Sequence, residues 1–339
     1  MCDGSAEVFL SAVPDRFCGV PGTFSYRRCR DCGSVFQDPR VIEEDLALCY
    51  PATYYTHAPT EAPVREAAPP RRRRTAGAVR DALRDAIRAA VLREPVHGLA
   101  GVAGRAMAAF ERFRVRAFND SLPDQLLPRS TRPGRALDIG CGSGDLLAAL
   151  AGAGWDAEGV DVDPAAAEAA RRRTGLPVTA GDFRQIRLPA GAYHLILMSH
   201  VLEHLSSTAH ALRRIGELLA PGGRAVLIYP NPAALGARAF GPYWFGWDPP
   251  RHLVLPSRRA LVRSARDAGL IVVEARSRFS GMVGVMGWLA ASRAYRDGRP
   301  ASGDAPTRPD RRIARLEQVL VKLGLGVGED ILAVLERAA

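Results

Sequence analysis

Residues 136–144 read Ala-Leu-Asp-Ile-Gly-Cys-Gly-Ser-Gly, and that order leaves little choice of fold. A short apolar run carrying Asp138 passes at once into three alternating glycines, Gly140, Gly142 and Gly144, and then into an alanine- and leucine-rich stretch of helical character. Strand, tight turn and helix in that order bring bare backbone to a helix N-terminus, where a ligand can lie against it. The spacing is G-x-G-x-G, unlike the G-x-G-x-x-G of a dinucleotide turn, and a carboxylate stands two residues ahead of the first glycine. Asp138 in that place would repel a pyrophosphate and suits a cationic group.

From residue 135 onward, strand and helix signals alternate as a parallel, doubly wound α/β sheet requires. The pattern predicts strands over 136–139, 158–162, 178–182, 193–198, 225–229 and 271–275. Helices are expected over 144–153, 208–219 and 257–268, with another opened by the cap Asp163-Pro164. Residues 330–335 read as either a seventh strand or a helix. At 339 residues the chain holds one such domain plus roughly a hundred residues of attachments. We divide it into a cysteine- and aromatic-containing segment (1–58), a linker and helical cap (59–128) and the α/β domain (129–339). The linker is marked by prolines and four consecutive arginines. After it, Val79, Leu83, Ile87 and Val91 share one helical face. Pro95 and the glycines at 98, 101 and 104 are expected to break that helix before a second helical stretch ending near Phe118.

Two further motifs sharpen the reading: Met198-Ser199-His200-Val201-Leu202-Glu203-His204-Leu205 at the end of the fourth strand, and Leu219-Ala220-Pro221-Gly222-Gly223 before the fifth. With the glycine turn they resemble the class I S-adenosylmethionine (SAM) dependent methyltransferases. The resemblance implies a Rossmann-like seven-stranded doubly wound sheet closed by an antiparallel last strand at 330–335, so that about 278–328 is an insertion. It implies SAM as cofactor. Asp138, Gly140, Cys141, Gly142 and Gly144 would form the turn beneath it, with Cys141 serving as a small residue between glycines. Asp161, with Val162 beside it, would take the ribose hydroxyls. Asp182 would face the adenine amine, Phe183 would pack on the base, and Ser199 would line the same site.

Methyl transfer needs alignment, exclusion of water and, for an oxygen acceptor, removal of a proton. His204 and His252 are the candidates for that last task, because histidine titrates near neutrality; a loop-orienting role for His204 and a packed lid around His252 are the alternatives. His252 ends an aromatic segment, Tyr243-Trp244-Phe245-Gly246-Trp247-Asp248-Pro249-Pro250-Arg251-His252, which resembles an acceptor-site segment of related bacterial enzymes.

Cys29-Arg30-Asp31-Cys32-Gly33 is half of a zinc ribbon, which makes Cys29 and Cys32 candidate zinc ligands; a knuckle held by packing alone is the other reading. The formal charge of +10 comes almost wholly from arginine, since Lys322 is the sole lysine. Together with the alanine excess this looks like compositional bias, so nucleic acid is disfavoured as a partner. No secretory signal is recognised and the apolar stretch at 281–291 is too short to span a bilayer. A cytoplasmic protein is expected, with the arginine-rich helices and 282–289 allowing contact at a membrane surface. The expected acceptor is a small molecule, a saccharide or a lipid-linked precursor. An RNA methyltransferase and a non-catalytic SAM-binding regulatory protein are the alternatives.

Overall fold

The computed structural model describes residues 4–51, 83, 86, 98–108, 133–299 and 305–338. The chain opens with three antiparallel strands, β1 (Ala6–Pro14), β2 (Thr23–Cys29) and β3 (Val35–Gln37). Helix α1 (Gly98–Ala108) follows. It corrects one expectation: Gly101 and Gly104 lie inside this helix and do not break it. A glycine inside a helix costs only about 1 kcal/mol relative to alanine, and Gly101 is buried, so packing outweighs propensity here. Val79, Ile87, Val91 and Phe118 lie outside the described residues.

The α/β domain then alternates as its pattern requires: β4 (Arg135–Ile139), α2 (Asp145–Gly152), β5 (Asp156–Asp161), α3 (Pro164–Thr174), β6 (Val178–Ala180), β7 (Tyr193–Ser199), α4 (Thr208–Leu218), β8 (Leu219–Pro230), α5 (Leu235–Phe240), β9 (Val254–Leu255), α6 (Arg258–Asp267), β10 (Leu270–Arg278), α7 (Met282–Arg296), α8 (Arg308–Lys322) and β11 (Asp330–Arg337). Capping side chains set several helix starts. Asp163 accepts from the Ala165 and Ala166 amides ahead of α3, Ser207 from His210 ahead of α4, and Ser257 from Ala260 ahead of α6.

Seven strands form one sheet in the order β10-β11-β8-β7-β4-β5-β6. Strands β4 to β8 run parallel, and β11 inserts antiparallel between β8 and β10. The ambiguity over residues 330–335 thus resolves as a strand, and the fold is the Rossmann-like seven-stranded class. Apolar side chains cover both faces: Leu212, Ile215, Leu261 and Ala265 of α4 and α6 pack on one, Leu147, Leu150, Ala167 and Ala170 of α2 and α3 on the other. The order reverses between β4 and β7, the switch point at whose carboxyl ends ligands bind in such sheets. The stretch at 278–328 supplies α7 and α8.

The N-terminal strands do not stand apart. β3 pairs antiparallel with β9, giving a four-stranded sheet β1-β2-β3-β9 over the carboxyl-end rim of the large sheet. Trp244, Trp247, Tyr26 and Val35 form their own buried cluster there.

Candidate active site

All three turn glycines adopt positive φ, at +70°, +50° and +80° for Gly140, Gly142 and Gly144. Their reasons differ. A Cβ on Gly140 would lie 2.3 Å from Val201, and one on Gly144 2.8 Å from Thr174, whereas one on Gly142 would meet nothing within 4 Å. The outer two glycines therefore serve close packing, and the middle one faces open space. Cys141 points inward and is buried, and burial pushes its thiol up.

Asp161 orders this turn from the end of β5: its carboxylate accepts from the Gly142 amide at 2.8 Å and from the Asp163 amide at 3.0 Å. Val162 beside it is exposed. Asp138 is almost fully buried, and its Oδ2 has no hydrogen-bond partner. Burial, reinforced by the nearby Asp161 charge, pushes its pKa up to about 7. Ser199 ends β7 on the same rim, half-buried.

Two expected adenine contacts are placed differently. Asp182 forms a forked pair with Arg184, with Nε at 3.0 Å from each oxygen and Nη2 at 2.6 Å from Oδ2. Burial opposes its charge, yet Arg184 holds it below the usual carboxylate range. Phe183 is 3% exposed, and its ring sits in the sheet core with Ile139 and Val160. Its apolar character is spent on the core.

Beyond β7 the chain turns through His200, whose φ is +56°, into a short 3-10 turn over Leu202–His204. Glu203 is fully buried, and neither of its oxygens has a hydrogen-bond partner. Its nearest cation is His200, with Nδ1 3.3 Å from Oε1. Burial opposes a charge on His200, but Asp330 and Glu203 outweigh it and raise its pKa to about 9. Glu203 is correspondingly held low despite its own burial.

His204 and His252 come together, their rings edge to face with centroids 4.7 Å apart. His204 Nδ1 lies 3.1 Å from the Arg251 carbonyl and 2.9 Å from the Tyr50 hydroxyl. Burial, then the neighbouring His252, lowers its pKa to about 4, so its ring is neutral at pH 7. His252 Nδ1 lies 2.8 Å from the Gly246 carbonyl. Arg251 is fully buried and grips two carboxylates, Asp15 at 2.8 and 2.9 Å and Asp248 at 2.6 and 2.9 Å, as well as the Cys49 carbonyl at 3.1 Å. This clamp fastens the N-terminal segment onto the aromatic segment that carries His252.

Cys29 and Cys32 pack against Ala260 and Phe36. Among the described residues, the one cluster of three or more potential metal ligands is Glu203, His204 and His252, and the two cysteines are not part of it. Cys2 lies outside the described residues.

Comparison with known proteins fits this geometry. The family described as "Methyltransferase domain" matches residues 110–275. That match takes in just under half of the chain, and over it the chain is similar to methyltransferases. An uncharacterised methyltransferase of Mycobacterium bovis is 33% identical over 118 residues, 34% of this chain and 59% of that protein. The ubiquinone biosynthesis O-methyltransferase of Methylocella silvestris is 31% identical over 170 residues, 46% of this chain and 64% of that one. The chain thus spans between about a third and two thirds of the length of the curated relatives it matches. A solved SAM-dependent methyltransferase from Mesorhizobium loti superposes with a TM-score of 0.43 at 17% identity, over 63% of this chain and 94% of that one. In this chain Asp161 ends β5 beside the glycine turn, and His204 and His252 lie on the loops after β7 and ahead of β9.

Sequence reasoning did not assign His200, Glu203, Arg251, Asp15 or Tyr50 to the site. One signal was available for part of this. Asp248 and Arg251 sit inside an aromatic run, and charges in such a run must find partners when buried. Nothing local pointed to Asp15, which is 236 residues from Arg251.

Proposed function

We propose that this chain transfers a methyl group from SAM to a small-molecule acceptor. The observation that carries the reading is the turn itself: an open Gly142, tethered through its amide to Asp161, above a buried Asp138 whose Oδ2 lacks a partner. An orphaned buried carboxylate oxygen calls for a donor, and a cationic amino-acid end would supply one. When bound, SAM supplies a methyl group already activated on a sulfonium. Asp138 would then hold the ammonium, the backbone around Gly142 would admit the amino-acid chain at close range, and Asp161 would orient the ribose. Val162 is the exposed apolar side chain beside that position. His204 and His252 would face the acceptor and manage its proton. The likeness to a ubiquinone biosynthesis O-methyltransferase favours an oxygen acceptor; saccharide and lipid-linked hydroxyls belong to the same chemistry. A lipid-linked acceptor would bring the chain to a membrane surface, and no described helix is long and apolar enough to cross one.

Thermal unfolding with SAM, S-adenosylhomocysteine and NAD in parallel tests the cofactor. A ligand at a hundred times its Kd adds about 2.7 kcal/mol, so the two adenosyl ligands should raise the midpoint by several degrees and NAD should not. No shift with either adenosyl ligand would refute the reading. For the acceptor side, His252→Ala should lower turnover at least tenfold while leaving the SAM-induced shift intact. Undiminished turnover would remove His252 from the assignment.

A further inference from the structure

We propose that Glu203, His204 and His252 form a binding site for a first-row divalent transition metal ion. One ligand atom from each lies within 4.8 Å of the other two. The histidines are already oriented for it. A carbonyl oxygen only accepts, so the 2.8 Å contact to Gly246 places a proton of His252 on Nδ1, while His204 Nδ1 sits between the Arg251 carbonyl at 3.1 Å and the Tyr50 hydroxyl at 2.9 Å. With Nδ1 so engaged, each ring has Nε2 left to offer an ion. Anchoring of the second ring nitrogen by a backbone carbonyl is the support that metal-bound histidine characteristically has. His252 Nε2 stands 4.0 Å from Glu203 Oε1. Ligand atoms around an ion at about 2.1 Å are roughly 3 to 3.5 Å apart, so from separations of up to 4.8 Å the side chains must close by up to roughly 1.8 Å.

Glu203 supplies the second, independent observation. It is fully buried, has no hydrogen bond from an amide or a guanidinium, and meets His200 at 3.3 Å and His252 at 4.0 Å. The contrast with its neighbours is instructive. Asp15 and Asp248, similarly deep on the same rim, have their oxygens filled by the Arg251 guanidinium. Glu203 has no guanidinium of its own; the imidazoles of His200 and His252 are what it faces. The chain path is firm here, because the Leu253 amide donates to the Glu203 carbonyl at 2.8 Å. Two imidazoles with one carboxylate select zinc, cobalt, iron or manganese over magnesium or calcium, which prefer all-oxygen shells. Three protein ligands leave positions open for water or an acceptor oxygen. With the ion bound neither histidine keeps a free nitrogen for proton transfer, and the ion would instead lower the pKa of an acceptor hydroxyl; that use rests on the function proposed above, and binding of the ion does not.

The test uses the full chain, stripped with a chelator and titrated with Co2+ alone. We expect one Co2+ per chain with a visible spectrum of nitrogen and oxygen ligation and no thiolate charge-transfer band, unchanged in Cys29→Ser/Cys32→Ser. Glu203→Gln and His252→Gln should each weaken binding at least tenfold, while the SAM-induced thermal shift reports that each variant is folded. If a variant fails to fold, X-ray absorption of the Co2+-loaded native chain reports the ligands directly, and two imidazoles without sulfur are expected. Absence of Co2+ binding, or a thiolate band that vanishes in the double cysteine variant, overturns the site. A chain that binds Co2+ as expected but shows no SAM shift would sustain the site and sink the cofactor reading; the reverse result would do the opposite.

Discussion

Asp138, proposed above to meet a cationic ligand group, is held in the fold at a cost in stability. Its pKa is about 7 in the fold against 3.8 for the free side chain, so the native state holds a proton that the unfolded chain has lost between those values. Stability from this group is greatest at low pH and declines as pH rises through that window. Asp138→Asn should therefore stabilise the ligand-free protein by at least ~1 kcal/mol above pH 7, while weakening SAM tenfold or more. In the native chain, SAM affinity should fall as pH drops below about 7, because a protonated Asp138 no longer attracts an ammonium. Denaturant melts and calorimetric titration on the two proteins across pH check both halves; a variant that neither gains stability nor loses affinity would contradict the account. At this scale the site was readable only in part. Asp138, Asp161 and the glycines announce themselves by spacing, since backbone geometry demands them. Phe183 did not, because an aromatic residue next to a ligand acid looks the same whether its ring turns outward or into the core.

Elements were legible wherever a periodic pattern met a cap. Strands β4 to β8 and helices α2, α3, α4 and α6 follow from alternation and from Asp163, Ser207 and Ser257 at their starts. Helix α8 was missed, although Thr307 and Asp310 form a reciprocal capping box there. The reason is physical: Asp310, Ala314 and Glu317 face inward while Leu316 and Val319 are half-exposed, so the usual apolar stripe is inverted. Its buried face is held by polar contacts, with Glu317 accepting from the Glu329 amide at 3.0 Å and Asp310 paired with Arg293 at 3.2 Å. Such a helix depends on its cap more than one seated on apolar packing. Thr307→Ala should cost about 1 kcal/mol, read as a fall of a few degrees in the unfolding midpoint. The same change at Thr23, exposed at the start of β2, should cost no more than about 0.5 kcal/mol. Equal effects at both positions would show that the cap does not hold α8.

Across the whole molecule, the division into a separate N-terminal unit gives way to one fold. Residues 6–37 share a sheet with β9, Tyr26 Oη lies 3.0 Å from the Trp247 carbonyl, and Asp15 is locked onto Arg251. Removing one partner of a buried, fully bonded pair costs about 3 to 5 kcal/mol, so the clamp ties the two parts energetically as well as geometrically. Tryptophan emission of Trp155→Phe, which leaves Trp244, Trp247 and Trp288 at the junction, should therefore change at the same denaturant concentration as far-ultraviolet circular dichroism, which reports the large sheet. Two separated transitions would mean that the N-terminal strands fold and melt independently.

The clamp also sets an order of events in time. Asp15 leaves the ribosome 236 residues before Arg251, and β3 waits as long for the strand that completes its sheet. Pairings this distant along the chain are slow to close and come late in folding. The loops bearing His252 are consequently fixed only after the large sheet exists to present them. Activity would then appear late in folding, once Asp15 has closed on an arginine made 236 residues after it.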